Sequence, residues 1–305
     1  MIRQAFFVSS PKMRRDIAFR RNVWLSLIMP PQATPAADAP RTQSDVLTIA
    51  QTDATRWLTM NRPAALNTFD PRLQRALRRA VDEAARDDTV RCVVLTGAGS
   101  AFSAGADIAL GDVTPETRLA PRTEEELRMY YNPIIRTLRT MPKPAVAAVN
   151  GSTVGLGCAL AMACDHVVAA ESAWFSLGFA KVGLTLDAGA SLLLGARIGI
   201  GRATRMAMLG TRVDAPTALD WGMVDEVVDD HALSTRTTAL ADELASGPTK
   251  AFAAIKHSLN AALLDRLDAA LETEVHSQTR LVDAADFREG ITAFAQRRPP
   301  KFLGH

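Results

Sequence analysis

Residues 143–165 read KPAVAAVNGSTVGLGCALAMACD, and the order of residue types within them decides the fold class. The apolar run PAVAAVN (144–150) has the length of a buried strand and is too short for a helix. Gly, Ser and Thr then break the run, and the small residues of 155–164 predict a helix that neighbours can approach closely. HVVAA (166–170) comes at once after it and reads as the next strand. A strand, a glycine-bearing loop, a helix and another strand form the step of an α/β core with largely parallel pairing and helices over its faces.

The flanking sequence continues that pattern. VLTIAQTDATRWLTMNRP (46–63) alternates apolar and polar residues around Thr52–Asp53–Ala54 and predicts a β-hairpin. In DPRLQRALRRAVDEAARDD (70–88), Asp70 is a helix N-cap, Pro71 fits the first helical position, and Leu73, Leu77, Val81 and Ala84 form one buried stripe. VRCVVLT (90–96) is a buried strand ending at Gly97. Helices are expected around 188–209, and a strand in VDEVVD (224–229). After residue 232 the pattern is helical throughout, over 233–246, 248–263, 265–280 and 283–296. The chain divides on this reading into an N-terminal extension (1–45), an α/β core (46–232) and a helical region (233–305) serving as a cap or an oligomerisation element. No internal repeat is visible.

Composition narrows the class. The chain has 305 residues, enough for one large domain with an appendage, and is 48% hydrophobic and 22% charged, as soluble globular proteins are. Cys92, Cys158 and Cys164 lie in apolar stretches without metal-ligand spacing and read as reduced core residues of a cytoplasmic-type protein. The net charge is +2, yet residues 1–28 alone hold six basic side chains against Asp16, so the rest of the chain carries about −3. That remainder has no basic surplus for nucleic acid or a membrane surface. The basic leader is compatible with a mitochondrial-type presequence or with a start at Met29, and the Pro/Ala-rich 30–45 reads as a flexible lead-in. No apolar run approaches the length of a membrane span.

Two loops and one carboxylate carry the candidate chemistry. LTGAGSAFSAGAD (95–107) and VNGSTVGLGCALAMACD (149–165) each succeed a strand, and their small residues leave backbone N–H groups open to a ligand. Two such groups aimed at one point make an oxyanion hole; close helix–strand packing is the plainer reading of either loop alone. In KVGLTLDAGASLL (181–193), Asp187 stands among small and apolar residues and is either a turn former or a buried base. His166, His231, His257, His276 and His305 sit where surface or structural roles are expected, and Ser103 has no base beside it.

Five blocks resemble the crotonase superfamily, the enoyl-CoA hydratase/isomerase fold: MNRPAALNTFD (60–70), AFSAGADI (101–108), 143–165, ALDWGMVDEVV (218–228) and DFREGITAFAQRRPPKF (286–302). The resemblance spans roughly 46–304 and implies an α/β fold, the crotonase (ClpP-like) spiral of ββα units, with a C-terminal helical trimerisation region after it. It implies an acyl-CoA thioester as substrate and no separate cofactor, since coenzyme A arrives with the acyl group. It places the oxyanion-hole N–H groups on Ala106 and Leu156, the latter where Gly is usual. It puts coenzyme A against Ala64, Ala65, Leu66, Ala104, Asp107 and Ile108, with Asp107 as a cap or turn residue. Phe179, Leu177, Tyr130 and Tyr131 are expected to shape the acyl pocket. The two glutamates of the hydratases fall on Ala159 and Phe179, neither of which moves a proton. Double-bond isomerases, including ring-opening epoxyphenylacetyl-CoA isomerases, keep an Asp in the stretch matching GLTLDAG (183–189), which is Asp187 here. The expected activity is therefore an isomerase that shifts a double bond or opens an epoxide or oxepin ring with Asp187 as general base, with a hydratase or another crotonase-type reaction as the alternative and a non-catalytic acyl-CoA-binding relative as the remote one. A homotrimer or hexamer is implied. One relative binds RNA through a basic helix, but the arginines at 72, 75, 78 and 79 have Asp82, Glu83 and Asp87 nearby to pair with, so no nucleic-acid partner is expected.

Overall fold

The computed structural model describes residues 41–44, 46–107 and 117–305; Ile108 and most of the N-terminal extension lie outside the described residues. Strands β2 (Leu47–Thr52) and β3 (Thr55–Met60) form the expected hairpin, with Asp53 at φ 50 in its turn. Strand β1 (Arg41–Ser44) pairs antiparallel with β2, so the sheet begins inside the stretch expected to be lead-in. Helix α1 (Pro71–Arg86) starts at the expected residue, because the Asp70 carboxylate accepts the N–H groups of Arg72 and Leu73. On its outer face Arg78 pairs with Asp82 at 2.7 Å and Arg79 with Glu83 at 2.6 Å, while Asp87 pairs with Arg56 instead.

Two sheets organise the core. The larger has seven strands in the order β1-β2-β3-β4-β6-β8-β11, where β4 is Cys92–Gly97, β6 Ala145–Val149, β8 His166–Ala170 and β11 Glu226–Val228. From β3 onward its pairs are parallel, and β6 is buried along its whole length, as strands covered on both faces are. The smaller sheet runs β10-β9-β7-β5, with β5 Ala101–Ser103, β7 Ser152–Val154, β9 Trp174–Ser176 and β10 Val213–Asp214. Each of β4, β6 and β8 leads into a three-residue strand of the second sheet, and helices then bring the chain back. That repeated corner is the expected spiral of ββα units.

The returning helices are α2 (Ala120–Glu126), α3 (Asn132–Thr140), α4 (Leu156–Ala163), α5 (Ala190–Leu209) and α6 (Ala215–Asp220). A π-helical turn at Leu127–Tyr131 joins α2 to α3, and α5 breaks at Gly199. The C-terminal helices α7 (Leu233–Ser246), α8 (Thr249–Leu263), α9 (Leu267–Leu281) and α10 (Ala285–Gln296) match the expected spans within two residues. They do not stand apart as a cap. Helix α7 packs on β4, β6 and β8, α8 on α3, α9 on α2 and α5, and α10 on the 3-10 turn Phe179–Val182. The three cysteines are buried and unpaired, with thiols pushed up to about 12 chiefly by burial, so they belong to the core. Among the described residues, no helix is long and apolar enough to cross a membrane.

Candidate active site

The first wall of the site is built by the 62–69 segment lying against 97–107. Asn67 has a left-handed backbone (φ 54) and is fully buried, which is tolerable because its side chain is saturated. Its amide donates to the carbonyls of Ala98 and Ala101, and its Oδ1 accepts the Arg62 N–H. The Ala104 N–H donates to the Leu66 carbonyl at 2.9 Å. Ala64 is exposed, and Ala65, Leu66, Ala104 and Asp107 are half-buried, so the two groups expected to face coenzyme A are joined on one surface. Asp107, expected as a cap or turn residue, makes an ion pair, and the segment it would cap lies outside the described residues. Its Oδ2 accepts from Arg62 Nη2 at 3.3 Å, and Arg62 also approaches Asp70 at 3.4 Å. Ser103 is not a nucleophile: its hydroxyl donates to the Asn67 carbonyl and accepts the Gly105 N–H.

The second wall is the start of α4, and a single glycine lets the walls meet. Gly105 has φ +89, and a Cβ there would lie 2.8 Å from the Val154 carbonyl oxygen and 3.5 Å from the Leu156 nitrogen. Ala106, the next residue, is thereby set beside the first turn of α4. The N–H groups of Ala106 and Leu156 have no hydrogen-bond partner among the described residues. For Leu156 this is the ordinary condition of a first-turn N–H, which a ligand can satisfy. Gly155, at φ +54, lies under Phe179, whose Cζ would be 3.4 Å from an added Cβ. Leu177 is buried and accepts the Phe179 N–H through its carbonyl, so both apolar residues border the same helix start. Ala159 is buried in the next turn of α4.

Asp187 lies at the entrance of α5, two residues before the helix N-cap Gly189. It is only 6% exposed. Gln278 of α9 donates to its Oδ2 at 3.0 Å, and its Oδ1 is buried without a partner. Burial and then the nearby Glu274 carboxylate raise its pKa from 3.8 to about 7, against the lowering effect of the Gln278 amide. A plain turn former would expose its carboxylate or spend it on local N–H groups, and Asp187 does neither. Tyr131 is buried, edge-on to Phe69 at 5.9 Å, and its hydroxyl accepts from Gln74 at 2.7 Å. Burial pushes its phenol well above the ordinary tyrosine value, with smaller contributions from Glu126 and Asp187. Tyr130 is half-buried and packs on the core.

Sequence reasoning missed Arg62, Asn67, Glu274 and Gln278. The last two interrupt the apolar face of α9 formed by Leu267, Leu271 and Val275, and that interruption was the available signal. A cleft of about 700 Å³ lies elsewhere, at the carboxyl ends of β8 and β11; it is lined by Glu171, Ser172, Asp229, Asp230, His231 and Ala232 and shares no residue with this site.

The spiral of ββα units followed by a C-terminal helical region is the crotonase fold, whose members act on acyl-CoA thioesters. The chain belongs to the enoyl-CoA hydratase/isomerase family, whose model matches residues 52–305. It is 41% identical over 247 residues to the 1,2-epoxyphenylacetyl-CoA isomerase of Escherichia coli K12, covering 81% of this chain and 94% of that protein. It is 38% identical to a probable enoyl-CoA hydratase of Rhodobacter capsulatus, over 81% of this chain and 93% of the relative. Among solved structures, an enoyl-CoA hydratase from Mycobacterium avium subsp. paratuberculosis K-10 superposes with a TM-score of 0.77 at 38% identity, covering 85% of this chain and 98% of that one.

Proposed function

We propose that this chain is an acyl-CoA isomerase that shifts a double bond, with Asp187 as the single proton carrier. The observation that carries the reading is the Asp187 carboxylate itself: buried, raised to about 7, and holding one oxygen without a partner. A base poised near neutral pH is matched to taking a proton from carbon next to a thioester. In a 3-enoyl thioester, Asp187 takes the proton from the α carbon, and the released electron pair spreads onto the thioester oxygen and, through the alkene, onto the γ carbon. The N–H groups of Ala106 and Leu156 would hold that oxygen, stabilising the charge only as it develops. Return of the same proton to the γ carbon gives the conjugated 2-enoyl thioester and restores the carboxylate. One acid and two N–H groups suffice for the sequence.

The surface of Ala64, Ala65, Leu66, Ala104 and Asp107 would carry coenzyme A, with Ile108 continuing it. Phe179, Leu177, Tyr130 and Tyr131 would bound the acyl group. An apolar aromatic border suits a phenyl-derived acyl group as well as a straight chain, and the name of the Escherichia coli relative supports including an epoxyphenylacetyl thioester. Assembly as a trimer or hexamer belongs to the same proposal. A hydratase reading is supported by the name of the Rhodobacter relative, but it needs a further acid, and Ala159 and Phe179 supply none where the resemblance expects glutamates.

The test is product analysis with 3-enoyl-CoA and 2-enoyl-CoA esters of straight-chain and phenyl-derived acids. Conversion of the 3-enoyl to the 2-enoyl ester without added water is expected. Rapid formation of a 3-hydroxyacyl-CoA from the 2-enoyl ester would replace the isomerase by a hydratase.

A further inference from the structure

Helix α9 brings two polar side chains, one turn apart, onto the loop that carries Asp187. Both are almost fully buried: Glu274 is 5% exposed and Gln278 3%. Burying two polar groups on an otherwise apolar face costs free energy unless they are fully used, and both are. The Gln278 Oε1 accepts the Thr185 N–H at 3.1 Å, and its Nε2 donates to Asp187 Oδ2 at 3.0 Å. Because the carbonyl end is claimed by an N–H, the amide has one satisfied orientation, and the end facing Asp187 is a donor.

Glu274 does something less expected. Its Oε2 accepts the Gly189 N–H at 2.6 Å and its Oε1 the Ser191 N–H at 2.9 Å, which are donors at the N-terminus of α5. A carboxylate close to a helix N-terminus is favoured as an anion by the positive helix end, most of all when it takes such N–H groups. Asp187 stands there and takes none, because an acid from another helix already occupies them. Gln278 is thus the one hydrogen-bond partner of its carboxylate among the described residues.

We infer that Glu274 and Gln278 are positioning residues for the Asp187 carboxylate: Glu274 withholds the helix-end N–H groups from it, and Gln278 anchors Oδ2 so that Oδ1 is left for a proton. The inference rests on Asp187 being the base of the reaction proposed above. The charged group acting on Asp187 is Glu274 of α9. From the π-helical turn the buried phenol of Tyr131 faces it, itself under the influence of Glu126 and Arg122 of α2. With the helix end free and the like charge removed, Asp187 would ionise at lower pH.

The experiment measures the Asp187 carboxyl directly in the full-length protein labelled with carboxyl-13C aspartate, its resonance assigned by loss in Asp187→Asn. Glu274→Gln is expected to move the Asp187 midpoint to lower pH, because the like charge goes and a helix-end N–H is released. Gln278→Met, close in shape and without a donor, is expected to move it to higher pH and to lower kcat by about tenfold as Oδ2 loses its anchor. The acid limb of the kcat/KM profile with a 3-enoyl-CoA should shift in the same opposite directions. A merely structural role would lower activity without displacing the two midpoints oppositely. Midpoints that stay put, or that move together, overturn the inference. Opposite shifts in a protein without isomerase turnover would uphold the coupling and remove the isomerase reading. Should Glu274→Gln fail to fold, an unmoved or lowered midpoint in Gln278→Met is sufficient to overturn it.

Discussion

Asp165 and Asp187 are two acids of the interior with opposite surroundings. Asp165, between α4 and β8, receives Arg139 of α3 at 3.1 Å, Lys256 of α8 at 2.7 Å and the Ala145 N–H of β6 at 2.9 Å. Together those partners tie two helices and a strand to one point. Asp187 receives a single amide and faces another carboxylate. The same functional group is thus a structural anchor where cations surround it, and where they are withheld it is the proton carrier of the proposed reaction. Depth of burial and donor supply together separate the two uses, since the Asp165 side chain is 18% exposed and richly partnered whereas Asp187 is 6% exposed and receives one amide.

Removing the poorly supplied carboxylate should have the largest effect on chemistry. Asp187→Asn keeps the shape and the volume, so thioester binding should persist while isomerase turnover falls by about 10²–10⁴-fold. Equal turnover in the variant, measured with the same 3-enoyl-CoA, would remove Asp187 from the mechanism. Stability should move the other way. The folded carboxyl titrates near 7 and the unfolded one near 3.8, so between those values the folded state keeps a proton the unfolded state has released. Wild-type stability therefore declines across that window as pH rises, and the Asn variant escapes the decline. Denaturant unfolding at pH 5 and pH 8 should show the variant gaining on the wild type by on the order of 2 kcal/mol, from 1.36 kcal/mol per pH unit.

The well-supplied carboxylate should show the mirror pattern. Asp165→Ala leaves Arg139 and Lys256 buried without their shared anion, and breaking a buried ionic cluster on one side costs about 3–5 kcal/mol. The loss is expected in unfolding midpoints, with kcat per folded molecule retained. If kcat of the folded fraction fell as far as in Asp187→Asn, the division between anchor and proton carrier would be wrong.

The contrast also marks what the sequence could reveal. Helix α1 is legible because its signals are local: a capping Asp70, Pro71 and an apolar stripe within one segment. Asp187 is legible as a carboxylate alone among small and apolar residues, and Ala106 and Leu156 as N–H bearers through the blocks around them. The strands β5, β7 and β9 are not, because three residues cannot display a period-two pattern. Nor are the partners that give Asp187 its character, since Glu274 and Gln278 arrive from 85 and 91 positions beyond the residues they bond. Asp107 reads as a cap for the same reason; the Arg62 it meets lies 45 positions earlier. Local chemistry shows in a window of sequence, and its tuning comes from the fold.

The smallest expected effect tests whether proximity to Asp187 alone makes a residue chemical. Tyr131 is buried, its phenol is raised partly by the Asp187 charge, and on those grounds it could be nominated as a second acid. Its hydroxyl oxygen, however, is fixed by accepting the Gln74 amide of α1 at 2.7 Å, and burial raises the phenol well above the ordinary tyrosine value, making it a poor proton donor. Tyr131→Phe removes one neutral hydrogen bond and leaves the Gln74 amide short of a partner, a loss of about 1–2 kcal/mol in unfolding free energy. Turnover of a 3-enoyl-CoA should change by no more than a few-fold, and the acid limb of its pH profile should stay where Asp187 puts it. A loss of turnover approaching that of Asp187→Asn would make the proton transfer a two-residue process, and the carboxylate would no longer be the single carrier.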